Sequence, residues 1–220
     1  GPPLARRAEK QDKLTASTDL DEELEAATEP LPWGPAEAIA AGRQVLDTEA
    51  RALARLSETL DDSFARAVET VAAVRGRVVL TGMGKSGHIA RKIAATLAST
   101  GTAAMYVHPG EASHGDLGMV TRDDAVLALS NSGETAELND MVEHATRFHI
   151  PLLAIVGRPD STLANSADVA LVLPDMPEAC PHGMAPTTST TMALAIGDAL
   201  AVALVVRSGF TGIDFRLLHP

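Results

Sequence analysis

Cysteine is almost absent from this chain of 220 residues: the single Cys180 excludes an internal disulfide and fits a reducing compartment. Cations are in deficit as well. The chain has 18 Lys and Arg against 29 Asp and Glu, a formal net charge of -11, so the clustered basic surface of a nucleic-acid-binding protein is not expected. That balance still admits a small anionic substrate, because one lysine and a helix terminus can hold a phosphate within an acidic protein. No apolar signal-peptide core lies near the N-terminus. The most membrane-like run, Met192 to Val206, is shorter than a bilayer span and carries Asp198, which reads as a buried core helix. A cytoplasmic protein without nucleic-acid or membrane partners is the expectation. The chain opens on Gly1 instead of methionine, as a processed or partial chain does.

The length suffices for one well-buried core. Residues 1–34 are polar and then acidic, with Asp19, Asp21, Glu22, Glu23 and Glu25 close together and no sustained apolar period. They read as a mobile or partly helical extension whose function is not legible. The domain proper runs over 35–220. Ile39, Leu46, Ala50, Leu53, Leu56 and Leu60 recur at helical spacing, and a second helical segment covers Phe64 to Val74. This pair is expected to pack against a partner subunit.

Strands and helices then alternate. Short apolar runs at Arg77–Leu80, Ala103–Val107, Ala125–Leu129, Leu152–Val156 and Val169–Leu173 are separated by helical segments, and a long final helix covers about Thr187 to Arg207. The pattern predicts an α/β fold: a three-layer α-β-α sandwich around a five-stranded parallel sheet, preceded by N-terminal helices. Ligands of such sheets gather at the carboxyl ends of the strands, where the strand order reverses. Every glycine-, serine- or histidine-rich loop of this chain leaves such an end.

The turn Ser130-Asn131-Ser132-Gly133-Glu134-Thr135 lies between the third strand and the helical pattern of Leu138, Met141, Val142 and Ala145. Hydroxyls and a glycine beside unpaired helix amides make a phosphate cradle, although an ordinary N-cap favours the same residues. Gly82-Met83-Gly84-Lys85-Ser86-Gly87 formally matches a dinucleotide fingerprint. The second strand, however, ends Met105-Tyr106-Val107-His108-Pro109, without the acid that would hold a ribose. A lysine in that turn is better explained as a cation facing a sugar phosphate. Glu111, Ser113, His114 and Asp116 share one loop, where an imidazole can move protons. Glu134 and Glu137 are expected on one side of a first helical turn. Glu178 and Cys180 lie in a proline-stiffened loop, the cysteine as a small buried side chain. Thr187, Thr188, Ser189, Thr190 and Thr191 open the last helix with more hydroxyls than a cap requires. No spacing among His114, Asp116, Cys180 and His182 matches a recognised zinc pattern. Neither a cofactor nor a required metal is expected, and His114 is the place for an incidental ion.

Together these stretches resemble the sugar isomerase (SIS) domain family, and within it the D-arabinose 5-phosphate isomerases. The resemblance rests on Gly82 to His88, His108 to Val120, Ser130 to Glu134, Glu178-Ala179-Cys180-Pro181, Ala185 to Thr191, Gly197 to Ala201, and the ending Phe215…His219-Pro220. It covers about residues 36 to 220. It implies a flavodoxin-like sheet and interconversion of D-ribulose 5-phosphate and D-arabinose 5-phosphate through an enediol, supplying the Kdo sugar of lipopolysaccharide. The matching catalytic residues are Lys85, Glu111, His114, Glu137, Glu178 and His219. Glu178 is assigned as the base and Lys85 as the charge stabiliser, with His114 or His219 in ring opening or proton shuttling. Ser86, Ser130, Ser132 and Thr135 are expected to hold the phosphate, with Thr187 and Thr188 nearby. The family's tetrameric habit implies a homotetramer with shared sites. Family members often continue past His-Pro into paired CBS domains, and this chain stops there. An isomerase of another phosphosugar, such as a hexulose 6-phosphate, and a non-catalytic sugar-phosphate sensor are the competing readings.

Overall fold

The computed structural model describes residues 33–218; the N-terminal extension and His219 lie outside the described residues. Residues 44–220 group into one compact unit, with 1–43 as a separate one. Two helices, α1 (Pro35–Glu58) and α2 (Asp62–Ala72), precede the first strand. The chain then alternates: β1 (Val78–Gly82), α3 (Gly84–Ser99), β2 (Ala104–Tyr106), a single turn α4 (Pro109–Ala112) and β3 (Ala125–Ser130). It continues through α5 (Asn139–Phe148), β4 (Leu152–Val156), the short α6 (Thr162–Ser166), β5 (Val169–Val172), α7 (Thr188–Ser208) and α8 (Gly212–Leu218).

The five strands are all parallel, in the order β2-β1-β3-β4-β5. Every residue of β1, β3 and β4 is buried, as a sheet covered on both faces requires. One face packs on α2, α3 and α7 through Leu80, Ile93, Leu97, Ile196 and Leu200. The other packs on α4, α5 and α6 through Val79, Val126, Met141, Ala154 and Leu163. The expected three-layer sandwich is therefore present. Helix α7 is long and apolar enough to cross a membrane by length and composition. One side of it packs into the core: Gly197 leaves room for Ile93 of α3, which any Cβ there would overlap, and Asp198 pairs with Lys92 at 2.6 Å.

Three differences from the sequence pattern have physical causes. β1 runs to Gly82 because its ladder with β3 continues to the pair Gly82 and Leu129. The stretch after β2 is not a plain loop. His108 Nδ1 accepts the Gly110 N–H at 3.0 Å and, with Pro109 at the first helical position, starts α4; a 3₁₀ turn follows at Asp116–Met119. Finally, α1 forms as expected, but only Ala52 and Leu56 of its apolar positions are buried, while Leu46 and Leu53 remain exposed.

The amino ends of β1 and β3 are joined by Asp124. Its buried carboxylate accepts the Arg77 N–H at 2.7 Å, the Thr121 N–H at 2.7 Å and the Thr121 hydroxyl at 2.9 Å. Burial raises its pKa, but the hydrogen bonds from Thr121 and Arg77 outweigh that and hold the carboxyl below the usual range. A depressed folded pKa contributes stability that is complete above the unfolded value, about 3.9, and is lost as pH falls through the folded one. Asp124→Asn should therefore lower the melting temperature at pH 7 and flatten its fall below about pH 4, measured by calorimetry across that range.

Candidate active site

Parallel strands bring all five loops to one edge. In the observed order, the β1–α3–β2 connection leads one way and the path from β2 to β3 returns across β1. The order therefore switches between β1 and β3, the place where sheets of this kind hold a ligand crevice. The glycine turn at Gly82–Gly87 and the serine turn at Ser130–Thr135 border it.

The helix N-termini along this edge fall into two kinds. α6 is closed: Ser161 Oγ accepts the Ala164 N–H at 3.3 Å, and Glu134 accepts the Thr162 N–H at 2.8 Å and its hydroxyl at 2.7 Å. α7 is closed as well, because Glu178 Oε2 accepts the N–H groups of Thr187 at 2.7 Å and Ser189 at 3.2 Å, and the Thr187 hydroxyl at 3.1 Å. The two ends beside the switch point are open. α3 has Met83 at its N-cap, whose side chain makes no cap bond, and Gly84 enters the helix at φ 53°. The 3₁₀ turn Ala136–Leu138 and α5 behind it have no side-chain cap either. Helix amides without a cap attract an anion. The only lysine in either turn, Lys85, is exposed, and no side-chain bond or ion pair holds its ammonium among the described residues.

Several assigned residues lie on the segments that follow β1, β2 and β3. Lys85 and the half-buried Ser86 lie in the first turn of α3, and Glu111 and His114 lie exposed on the segment after β2. Ser132 is exposed and Thr135 half-buried. Ser130 is buried, and its hydroxyl accepts the Gly133 N–H at 3.0 Å and bonds Thr135 Oγ1 at 2.7 Å. It shapes the serine turn from within. Glu134 and Glu137 do not share one helical face: Glu137 sits exposed in the 3₁₀ turn, whereas Glu134 lies before it and is drawn to Thr162 on α6.

The hydroxyl run at α7 serves the Glu178 loop. Thr187 Oγ1 donates to Glu178 and accepts the Ala179 N–H at 2.9 Å, and the Thr190 hydroxyl donates back to the Thr187 carbonyl at 2.8 Å. Thr188 is fully buried, and its hydroxyl lacks a partner. Cys180 is half-buried, and the backbone N–H groups of Ala185 and His182 pull its thiol pKa down. No three His, Cys, Asp or Glu side chains converge as a metal ion would need among the described residues. Tyr106 ends β2 and His108 follows it; neither is among the site residues assigned from the sequence.

An all-parallel sheet with two open helix ends at its switch point and an unpaired lysine beside them defines a doubly wound α/β domain with a candidate anion site. The chain belongs to the SIS domain family, whose profile matches residues 73–203. It is 54% identical over 180 residues to the arabinose 5-phosphate isomerase KdsD of Escherichia coli (strain K12), a match covering 82% of this chain and 55% of that enzyme. KdsD of Pseudomonas aeruginosa is 50% identical over 182 residues, covering 83% and 56% respectively. The chain thus spans about half the length of these curated relatives. Its fold superposes on a protein of Escherichia coli CFT073, solved in complex with A5P, with a TM-score of 0.82 and 40% identity. That match covers 86% of this chain and 100% of the other.

Burial raises the Glu178 pKa, but hydrogen bonds from Ser189 and Thr187 outweigh it and hold the carboxyl below the ordinary glutamate range. Carbon-detected titration of the glutamates should therefore show one carboxyl, absent in Glu178→Gln, that titrates below the free value of about 4.3.

Proposed function

We propose that this chain carries the active site of an aldose–ketose isomerase that interconverts D-ribulose 5-phosphate and D-arabinose 5-phosphate. The observation that carries this reading is the identity of 54% to KdsD, and the open helix ends beside Lys85 supply the physical reason. The phosphate of a five-carbon sugar fits between the two uncapped helix ends, held by Ser86, Ser132 and Thr135. Its carbonyl end then points towards Lys85, Glu111, His114, Glu137 and Glu178. His219, outside the described residues, is read as the last member of this set.

The reaction moves a proton between C1 and C2 through an enediol. A base must take a carbon-bound proton and return it to the neighbouring carbon. In Glu178, Oε2 accepts the Thr187 N–H and hydroxyl and the Ser189 N–H, and the role of base calls for Oε1 to meet the sugar. A lowered pKa keeps that carboxylate ionised, but it is a weaker base than one poised near neutrality. Lys85 accordingly carries much of the work by stabilising the enediolate oxygen. Protons move between the two sugar oxygens through His114.

The same reading places the enzyme in the cytoplasm as a supplier of the Kdo sugar of lipopolysaccharide. It also makes the enzyme a homotetramer with sites shared between subunits. The apolar side chains left exposed at Leu46, Val202, Val206 and Leu217 support assembly, and light scattering should give four times the chain mass of 22.9 kDa.

Proton NMR of ribulose 5-phosphate in heavy water with chelator-treated protein should show arabinose 5-phosphate with deuterium at C2. Sugar that binds but stays unchanged would favour a sensor. Glu178→Gln should slow turnover by at least about 100-fold without loss of fold, and full activity would remove Glu178 from the role of base.

A further inference from the structure

We propose that Tyr106 is a positioning residue for this site: its hydroxyl holds the glycine turn in the shape that presents Lys85 and the open amides of α3 to the crevice. The inference rests on the isomerase reading for its kinetic consequence, and on geometry for the rest.

β2 ends at Tyr106, whose register partner on β1 is Leu80. The ladder between the two strands closes with the Val107 N–H donating to the Leu80 carbonyl at 2.9 Å. Gly82, two residues further along β1, is therefore beyond the reach of β2 backbone. The Tyr106 side chain spans that gap, its hydroxyl donating to the Gly82 carbonyl at 2.7 Å. Among the described residues, no other side chain hydrogen-bonds to the segment 82–87.

The turn is otherwise weakly held. Met83 offers no cap, Gly84 sits at positive φ, and the first helical bond, from Gly87 N–H to the Met83 carbonyl, is 3.2 Å long. Gly87 shows how closely the parts meet: a Cβ there would stand 2.6 Å from the Gly82 carbonyl oxygen and 2.8 Å from the Tyr106 hydroxyl. Strand end, phenol and helix start thus converge on a point that admits no side chain. The ring is fixed from its other side, with the Arg91 guanidinium of α3 over its face at 4.0 Å. Its edge meets His108, which caps the turn carrying Glu111, with ring centroids 6.4 Å apart.

Burial raises the Tyr106 pKa more than Arg91 lowers it, so the phenol stays a neutral donor. Lys85, with nothing holding its ammonium, takes its position from the backbone alone. A shift of that backbone moves the charge away from the enediolate oxygen, and displacements of about 1 Å cost on the order of 100-fold in rate.

Tyr106→Phe tests this, because phenylalanine keeps the ring beside Arg91 and removes the hydroxyl, with its bond to the Gly82 carbonyl and its hydrogen bond with Arg91. We expect kcat for ribulose 5-phosphate to fall by about 10-fold or more and KM to rise, because the same turn carries the phosphate-binding amides, with the melting temperature moving by no more than about 5 °C. Hydrogen exchange read by mass spectrometry should quicken over residues 82–91 and stay unchanged over β3 and β4. Wild-type kcat in the variant would overturn the kinetic claim, and unchanged exchange over 82–91 would overturn the claim that the hydroxyl holds the turn. Should the unsubstituted protein fail to isomerise the sugar, the isomerase reading falls, and the exchange measurement alone judges the role of Tyr106.

Discussion

The first amides of a helix have no partners inside the helix, and the structure depends on how each start along the carboxyl edge of the sheet meets that constraint. Glu178 closes α7, Glu134 and Ser161 close α6, and the His108 ring closes α4. The starts of α3 and of the 3₁₀ turn before α5 have no side-chain cap. They follow the two strands between which the order turns back. Topology brings five loops to one edge, but capping decides which of them are finished by the chain and which are left for a ligand.

This division reconciles a strongly acidic protein with an anionic substrate. The net charge of -11 acts over the whole surface, whereas a phosphate responds to the few groups within reach of its oxygens. Along the edge, the carboxylates Glu134 and Glu178 accept hydrogen bonds from helix ends that would otherwise compete for the anion. What remains to attract the phosphate is the unpaired Lys85 and two sets of backbone donors.

The sheet was legible because short apolar runs alternate with helical periods, and glycine or hydroxyl clusters punctuate them at each strand end. The loops carrying Lys85, His114, Ser132 and Glu178 could be assigned to one edge from that alternation alone. Features that depend on partners far along the chain were hidden. Glu134 reads as a first-turn acid beside Glu137, yet its hydrogen-bond partner Thr162 lies 28 residues away and draws it out of that turn. Ser130 reads as a phosphate ligand by composition, but burial turns its hydroxyl onto its own turn. The phenol of Tyr106 reaches a carbonyl 24 residues earlier, and no local pattern marks such a bond.

Tyr106 is also the only tyrosine in the chain. The hydroxyl bound to the Gly82 carbonyl therefore belongs to the molecule's sole phenol chromophore. A phenol that donates to a carbonyl absorbs at a different wavelength from one that donates to water. The protein thus carries a single native phenol where its second strand meets its glycine turn. Its near-ultraviolet band, beside that of Trp33, belongs to that one junction.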